Sequence, residues 1–211
     1  MKPLCRVIPL FVLFAGFAVA AQESAIPKSE GPKTALLVLD MQEDFLGVDA
    51  KMPILREQIP ALTAVVNSLI DEFEKNGQEI IYVKSEFPKI ALGNRIRHHA
   101  AIKGSPGTNI YGRIRISGRT VFSKKTPDAF SNREFAAYLE AHQIKRLVMT
   151  GVFADQCVLS TTMAALDRNY QITFVRNGVG ARSDKDVTKA CEKVQKRGAK
   201  VIDYQPHTPI E

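Results

Sequence analysis

RLVMTGVFADQCV, residues 146–158, runs from an apolar stretch into a segment with helical patterning, and a cysteine stands at the junction. Residues 146–153 show no strict alternation of polar and apolar positions, as a strand buried on both faces does. Residues 155–168 then read as a helix. A buried strand passing directly into a helix is half of a βαβ unit, and the rest of the chain repeats it. ALLVLDMQ (35–42), EIIYVKSE (79–86), TVFSKK (120–125), QITFVRN (171–177) and AKVIDY (199–204) read as five further strands. Helical patterns fill 53–76, stopped by Gly77, then 131–142 and 184–197, the last stopped by Gly198. Strands alternating with helices imply right-handed parallel crossovers. The expected fold is an α/β three-layer α/β/α sandwich with a six-stranded parallel sheet, doubly wound and Rossmann-like.

The first residues belong to a different programme. Lys2 and Arg6 form a positive n-region, Leu10 to Val19 is almost wholly apolar, and Ala18-Val19-Ala20 offers small residues for a signal peptidase. Residues 1–21 are therefore expected to be a secretory signal, and the product periplasmic or secreted. The apolar run is shorter than the roughly 20 residues a bilayer span needs, so no stable membrane anchor is expected. Residues 22–33 read as a flexible lead-in and 34–211 as one domain. The formal charge is +7, and removing Lys2 and Arg6 would leave +5. Of the three cysteines, Cys5 lies in the leader, which leaves Cys157 and Cys191. That is far from a disulfide framework, so the fold must rest on its core.

In an open parallel sheet, ligands bind beyond the carboxyl ends of the strands. Three polar residues fall there: Asp40 after the first strand, Lys124 at the end of the third and Cys157 just after the fourth. Each alone has a bland explanation, as a turn cap, a solvated lysine and a small core residue. Together they form the parts of a covalent hydrolase. A helix N-terminus and a nearby lysine would bring the thiol below its usual pKa of about 8.5, making thiolate accessible near neutral pH. A carboxylate alongside can take the thiol proton and return it to a leaving group.

The chain resembles the isochorismatase-like, or cysteine hydrolase, superfamily over about residues 33–204. The resemblance is carried by LLVLDMQEDF (36–45), by KKTPDAF (124–130) with a lysine six residues before Phe130, and by VMTGVFADQCV (148–158). It implies an Asp40-Lys124-Cys157 catalytic triad, the spacing to Phe130 selecting Lys124 over Lys125. It also implies a non-proline cis peptide between Val152 and Phe153. That bond would turn the Phe153 N–H toward the Cys157 N–H as an oxyanion hole. The implied reaction is hydrolysis of an amide-like C–N bond through a Cys157 thioester, with no cofactor, in a homo-oligomer. Phe45 and Phe153 are candidate pocket residues, and Phe130 is expected to pack behind Lys124.

Several features depart from the resemblance. Nicotinamidases of the superfamily carry a metal-binding Asp-x-His after the second strand. Here the stretch is VKSEFPK, so no metal site and no nicotinamide substrate are expected. His98 and His99 are adjacent and diverge. Members acting on isochorismate commonly lack the cysteine. Asn177 stands where the family often has aspartate. From Arg95 to Lys125 there are eight Lys or Arg, two His and no acid. The segment is either a solvated or oligomer-facing loop or a lid drawing in an anionic small-molecule amide. No aromatic interleaving accompanies the charge, so nucleic acid is not an expected partner. Cys191 shares a helical face with Val187 and Val194 and reads as core. Two alternatives remain beside the amidohydrolase: a non-catalytic binding protein of the same fold, and an isochorismatase-type hydrolase. A thiol redox role for Cys157 would need an accessible partner cysteine.

Overall fold

Along the first strand, β1 (Lys33–Leu39), successive side chains point to opposite faces of the sheet. Ala35, Leu37 and Leu39 enter one apolar cluster while Leu36 and Val38 enter another. A strand that is apolar at every position needs cover on both sides, and the helices supply it. The computed structural model describes residues 33–118 and 120–206. The expected leader at 1–21 and all but the last residue of the lead-in lie outside the described residues.

The remaining strands are β2 (Glu79–Ser85), β3 (Val121–Lys124), β4 (Ile144–Val152), β5 (Gln171–Gly180) and β6 (Lys200–Ile202). All pair in parallel, in the order β3-β2-β1-β4-β5-β6. The helices are α1 (Glu43–Leu46), α2 (Ile59–Lys75), α3 (Arg133–Ala141), α4 (Leu159–Leu166) and α5 (Asp184–Lys196). One face of the sheet is covered by α2 through Leu62, Val66, Leu69, Ile70 and Phe73. On the other face α3, α4 and α5 contribute Phe135, Leu139, Ala165, Ala190 and Val194. Each large aliphatic or aromatic side chain so buried contributes about 1.5–3 kcal/mol against the entropy of the chain. The expected three-layer, doubly wound parallel fold is what forms. Strand order reverses between β1 and β4, which is where such folds open a crevice.

Helix ends follow local chemistry. Pro60 sits in the first turn of α2, where a missing N–H costs nothing. Asn132 caps α3 by accepting from the Glu134 N–H, and Ser183 caps α5 by accepting from the Asp186 N–H.

The structure corrects several element boundaries: the helix expected from residue 53 begins at Ile59 after a 3-10 turn, and the last strand shortens to Lys200–Ile202. The helix expected over 155–168 opens instead as a π-helical turn, Ala154–Val158, with α4 beginning at Leu159. The fifth strand does not stop at Asn177 but continues to Gly180 through a bulge. Its pairing with β4 jumps from Met149↔Phe174 to Gly151↔Val179. Asn177 pins the bulge, donating Nδ2–H to the Tyr204 carbonyl at 2.8 Å and accepting the Tyr204 N–H on Oδ1 at 2.9 Å. An aspartate could accept but not donate, so the amide is what this junction requires.

Residues 86–120 form the irregular part, with two 3-10 turns, Leu92–Asn94 and Pro106–Thr108. The segment is tied down by polar residues from the end of β1 and from α1. Asp44 accepts the Ala101 N–H at 2.7 Å, Glu43 the Gly112 N–H at 2.8 Å, and Gln42 donates to the Thr108 carbonyl at 3.0 Å. Gly107 lies against Asp44, where a Cβ would come within 2.0 Å of the carboxylate. His98, His99 and Ala101 all adopt left-handed φ near 50–57°, an uncommon choice for residues with side chains.

Candidate active site

Four neighbouring strands deliver the site, each at its carboxyl end. After β1 the chain turns at Asp40, whose φ of 53° is left-handed. Its N–H bonds to the Val83 carbonyl of β2 at 2.7 Å, and its side chain is buried. Aspartate tolerates this region better than most residues. Lys124 ends β3 and is in register with Ser85 at the end of β2. Lys125, the alternative left by the sequence, is exposed. Cys157 follows β4 in the π-helical turn and is half-buried.

These side chains meet. Lys124 Nζ lies 2.8 Å from Asp40 Oδ2 as an ion pair with both side chains out of solvent. The same ammonium donates to Cys157 Sγ at 3.2 Å and to Ser85 Oγ at 2.8 Å. Neither Asp40 oxygen has a hydrogen-bond partner among the described residues, and Oδ1 lies outside the 2.8 Å ion pair as well. Gly151 makes the approach of β1 and β4 possible: its φ is 116°, and a Cβ there would lie 2.0 Å from the Leu39 carbonyl oxygen. The Val152-Phe153 peptide bond is cis, as the resemblance implied.

The electrostatics correct one expectation. Burial, and after it the charge of Asp40, push the Cys157 thiol up to about 12, and Lys124 only partly offsets this. Thiolate is therefore not the resting form near neutral pH. The helix-end argument failed because burial and the charge of Asp40 outweigh the lysine. Burial alone would pull Lys124 down, but the charge of Asp40 and the sulfur, with hydrogen bonds to both, outweigh it and hold the ammonium above its ordinary value. The resting site is thus an ion pair beside a neutral thiol, with one carboxylate oxygen open. That is the arrangement a general base needs before a nucleophile is released.

Around this centre, Phe45 and Phe153 pack edge to face with centroids 5.4 Å apart, both buried. The guanidinium of Arg182, just past β5, lies 5.6 Å from the centroid of the Phe153 ring. Its base is held fast, because the Ala181 N–H donates to Gln58 Oε1 at 3.0 Å and the Ala181 carbonyl accepts from the Leu55 N–H at 2.9 Å. Arg182 has no hydrogen bond or ion pair among the described residues. Phe130 packs on Phe135 and Tyr170.

His98 and His99 do not gather with other ligands, and no group of three His, Cys, Asp or Glu side chains among the described residues is arranged to hold a metal. Cys157 and Cys191 are both free. Sequence reasoning missed Ser85, Gln42 and Arg182. Nothing in a strand-end serine or glutamine announces a role until the register places it beside a lysine.

Comparison with known proteins follows the same lines. The family model described as the isochorismatase domain matches residues 34–206. The isochorismatase family protein PncA of Bacillus subtilis is 26% identical over 160 residues, covering 71% of this chain and 87% of that protein. The secreted isochorismatase effector Isc1 of Verticillium dahliae is 23% identical over 150 residues, covering 71% of this chain and 73% of its own. The structure of N-carbamoylsarcosine amidase from Thermoplasma acidophilum superposes with a TM-score of 0.73 at 27% identity, over 85% of this chain and 99% of that one.

Proposed function

The chain belongs to the isochorismatase family, and from that premise we propose that it is an exported cysteine hydrolase cleaving an amide-like C–N bond of a small, negatively charged molecule. The observation that carries this reading is the buried meeting of Asp40, Lys124 and Cys157 around one ammonium. In the proposed cycle the thiol proton passes to Asp40 as sulfur attacks the carbonyl carbon. The backbone N–H groups of Phe153 and Cys157 receive the oxyanion, donors of a kind worth about 10² to 10³ in rate. Asp40 returns the proton to the departing ammonia or amine. Water, deprotonated by Asp40, then cleaves the thioester, and the proton goes back to sulfur. Lys124 stays charged throughout and balances whichever of Asp40 and Cys157 is anionic.

Two features support an anionic substrate. Arg182 is exposed and without a polar partner among the described residues, above the ring of Phe153, the residue whose backbone N–H is assigned to the oxyanion hole. The segment from 95 to 125 adds cations and no acid. Phe45 and Phe153 supply the apolar wall. Export rests on the leader in the sequence and is checked by N-terminal sequencing of the processed protein.

The test is release of ammonia or amine from matched neutral and carboxylated amides by the mature protein and its Cys157→Ala variant. Release by the wild type alone, faster for the carboxylated member, is expected. Equal activity in both proteins would remove Cys157 as nucleophile. Substrate binding without turnover by the wild type would favour the non-catalytic reading.

A further inference from the structure

The Lys124 ammonium meets three acceptors: it donates hydrogen bonds to Ser85 Oγ and Cys157 Sγ and forms an ion pair with Asp40 Oδ2. Its side chain is 0% exposed, so an N–H left without an acceptor would bear the cost of lost hydration. Two of the acceptors belong to the reacting pair, but Ser85 belongs to neither. Its backbone is fixed independently of Lys124. The Ser85 N–H donates to Gln42 Oε1 at 2.7 Å, and its carbonyl accepts from Gln42 Nε2 at 2.9 Å. Gln42 spends its other amide hydrogen on the Thr108 carbonyl. The serine hydroxyl is thus presented to the ammonium from a clamped strand end.

We propose that Ser85 is a positioning residue for the reaction: by accepting an N–H of Lys124 it holds the ammonium toward β2 and keeps Asp40 Oδ1 open for the thiol proton. This rests on the reading of Cys157 as nucleophile and Asp40 as base. Without the hydroxyl, the freed N–H would turn to the Asp40 carboxylate, whose oxygens are buried and without a hydrogen-bond partner among the described residues. The carboxylate would then be bound on both oxygens, the thiol proton would lose its destination, and the ammonium would move away from sulfur.

The test uses Ser85→Val and Ser85→Thr, which add the same bulk while only threonine keeps the hydroxyl, with Ser85→Ala as a variant that adds none. We expect Ser85→Val to lower kcat about 10- to 100-fold with KM within about twofold, the signature of a group that does not bind substrate. Alkylation of Cys157 by iodoacetamide at pH 8 should slow at least about threefold, because the thiolate loses its cationic neighbour. Ser85→Thr should keep both within about threefold of wild type. Folded Val and Ala variants with wild-type kcat and alkylation rate would overturn the proposal. So would a raised KM with unchanged kcat, which would make Ser85 a substrate contact. The alkylation series needs no substrate. Should no amide be hydrolysed even by the wild type, the hydrolase reading fails and the alkylation rates still decide the role of Ser85.

Discussion

The carboxyl ends of β1 to β4 and the segment over 86–120 lie next to each other in the chain's path, yet they handle charge in opposite ways. At the strand ends, Asp40 and Lys124 are buried, and the ammonium is met by a carboxylate, a hydroxyl and a sulfur. In the segment, Ile90, Leu92 and Ile96 are 98%, 97% and 81% exposed, and Arg95, Lys103, Arg113 and Arg115 are exposed as well. Arg115 reaches Asp71 and Glu74 of α2, and Arg97 stacks on Phe87. Where charges are enclosed, each group depends on its neighbours, so one deletion should propagate. Where they are solvated, a deletion should stay local.

Removing the cation from the enclosed region is the most severe way to probe this contrast. Lys124→Met leaves Asp40 buried and unpaired, so hydrolysis should fall by at least about 10³-fold, with stability lower by about 3–5 kcal/mol in urea unfolding. Wild-type stability in this variant would mean that water reaches the site. Asp40→Asn should separate two properties that usually move together. The proton acceptor is lost, so hydrolysis should drop about 10² to 10⁴-fold. The charge that helps raise the thiol is also lost, so iodoacetamide at pH 8 should react with Cys157 about tenfold faster than in wild type.

The wild-type pH response has a definite sign. A thiol whose folded value is raised to about 12 from an ordinary 9 stays neutral in the folded protein where the unfolded chain ionises. Its contribution to stability is complete below about pH 9 and is lost as pH climbs toward 12. Over pH 7 to 10 the alkylation rate should rise about tenfold per unit without a plateau, and a plateau below pH 8 would restore the thiolate picture.

Smaller effects belong to the segment. Asp44→Asn weakens the charged anchor on Ala101 and should cost about 1–2 kcal/mol, seen as faster proteolysis within 86–120 and only a modest loss of activity. Serine at Ile90, Leu92 and Ile96 should change monomer stability by no more than about 0.5 kcal/mol. Sedimentation of the same triple variant tests the homo-oligomer, since a self-association covering these side chains would weaken.

How much of this was legible beforehand follows from which periodicities reach the sequence. The inner strands β1, β2, β4 and β5 were, because burial on both faces leaves apolar runs, whereas the edge strands β3 and β6 were legible only from their place in the alternation with helices. Asp40, Lys124 and Cys157 were, because a polar residue ending such a run has few places to go. The state of the thiol was not: it depends on enclosure and on the Asp40 charge, which lies 117 positions away in a sequence of 211 and has no local signature. Ser85 and Gln42 were hidden for the same reason, their meaning being set by register. The β5 bulge was masked by Asn177 and Gly178, which read as a turn and proved to be a detour inside a strand.

The glycine at 151 separates what can vary in this protein from what cannot. Because it lets the backbones of β1 and β4 touch, the spacing of Asp40 and Cys157 is dictated by main-chain contact rather than by any side chain that mutation could resize. That pair is a fixed gauge, and the segment beyond the strand ends is a replaceable fitting. New substrates can be sought by rebuilding 86–120 or Arg182 while the chemistry underneath keeps its setting.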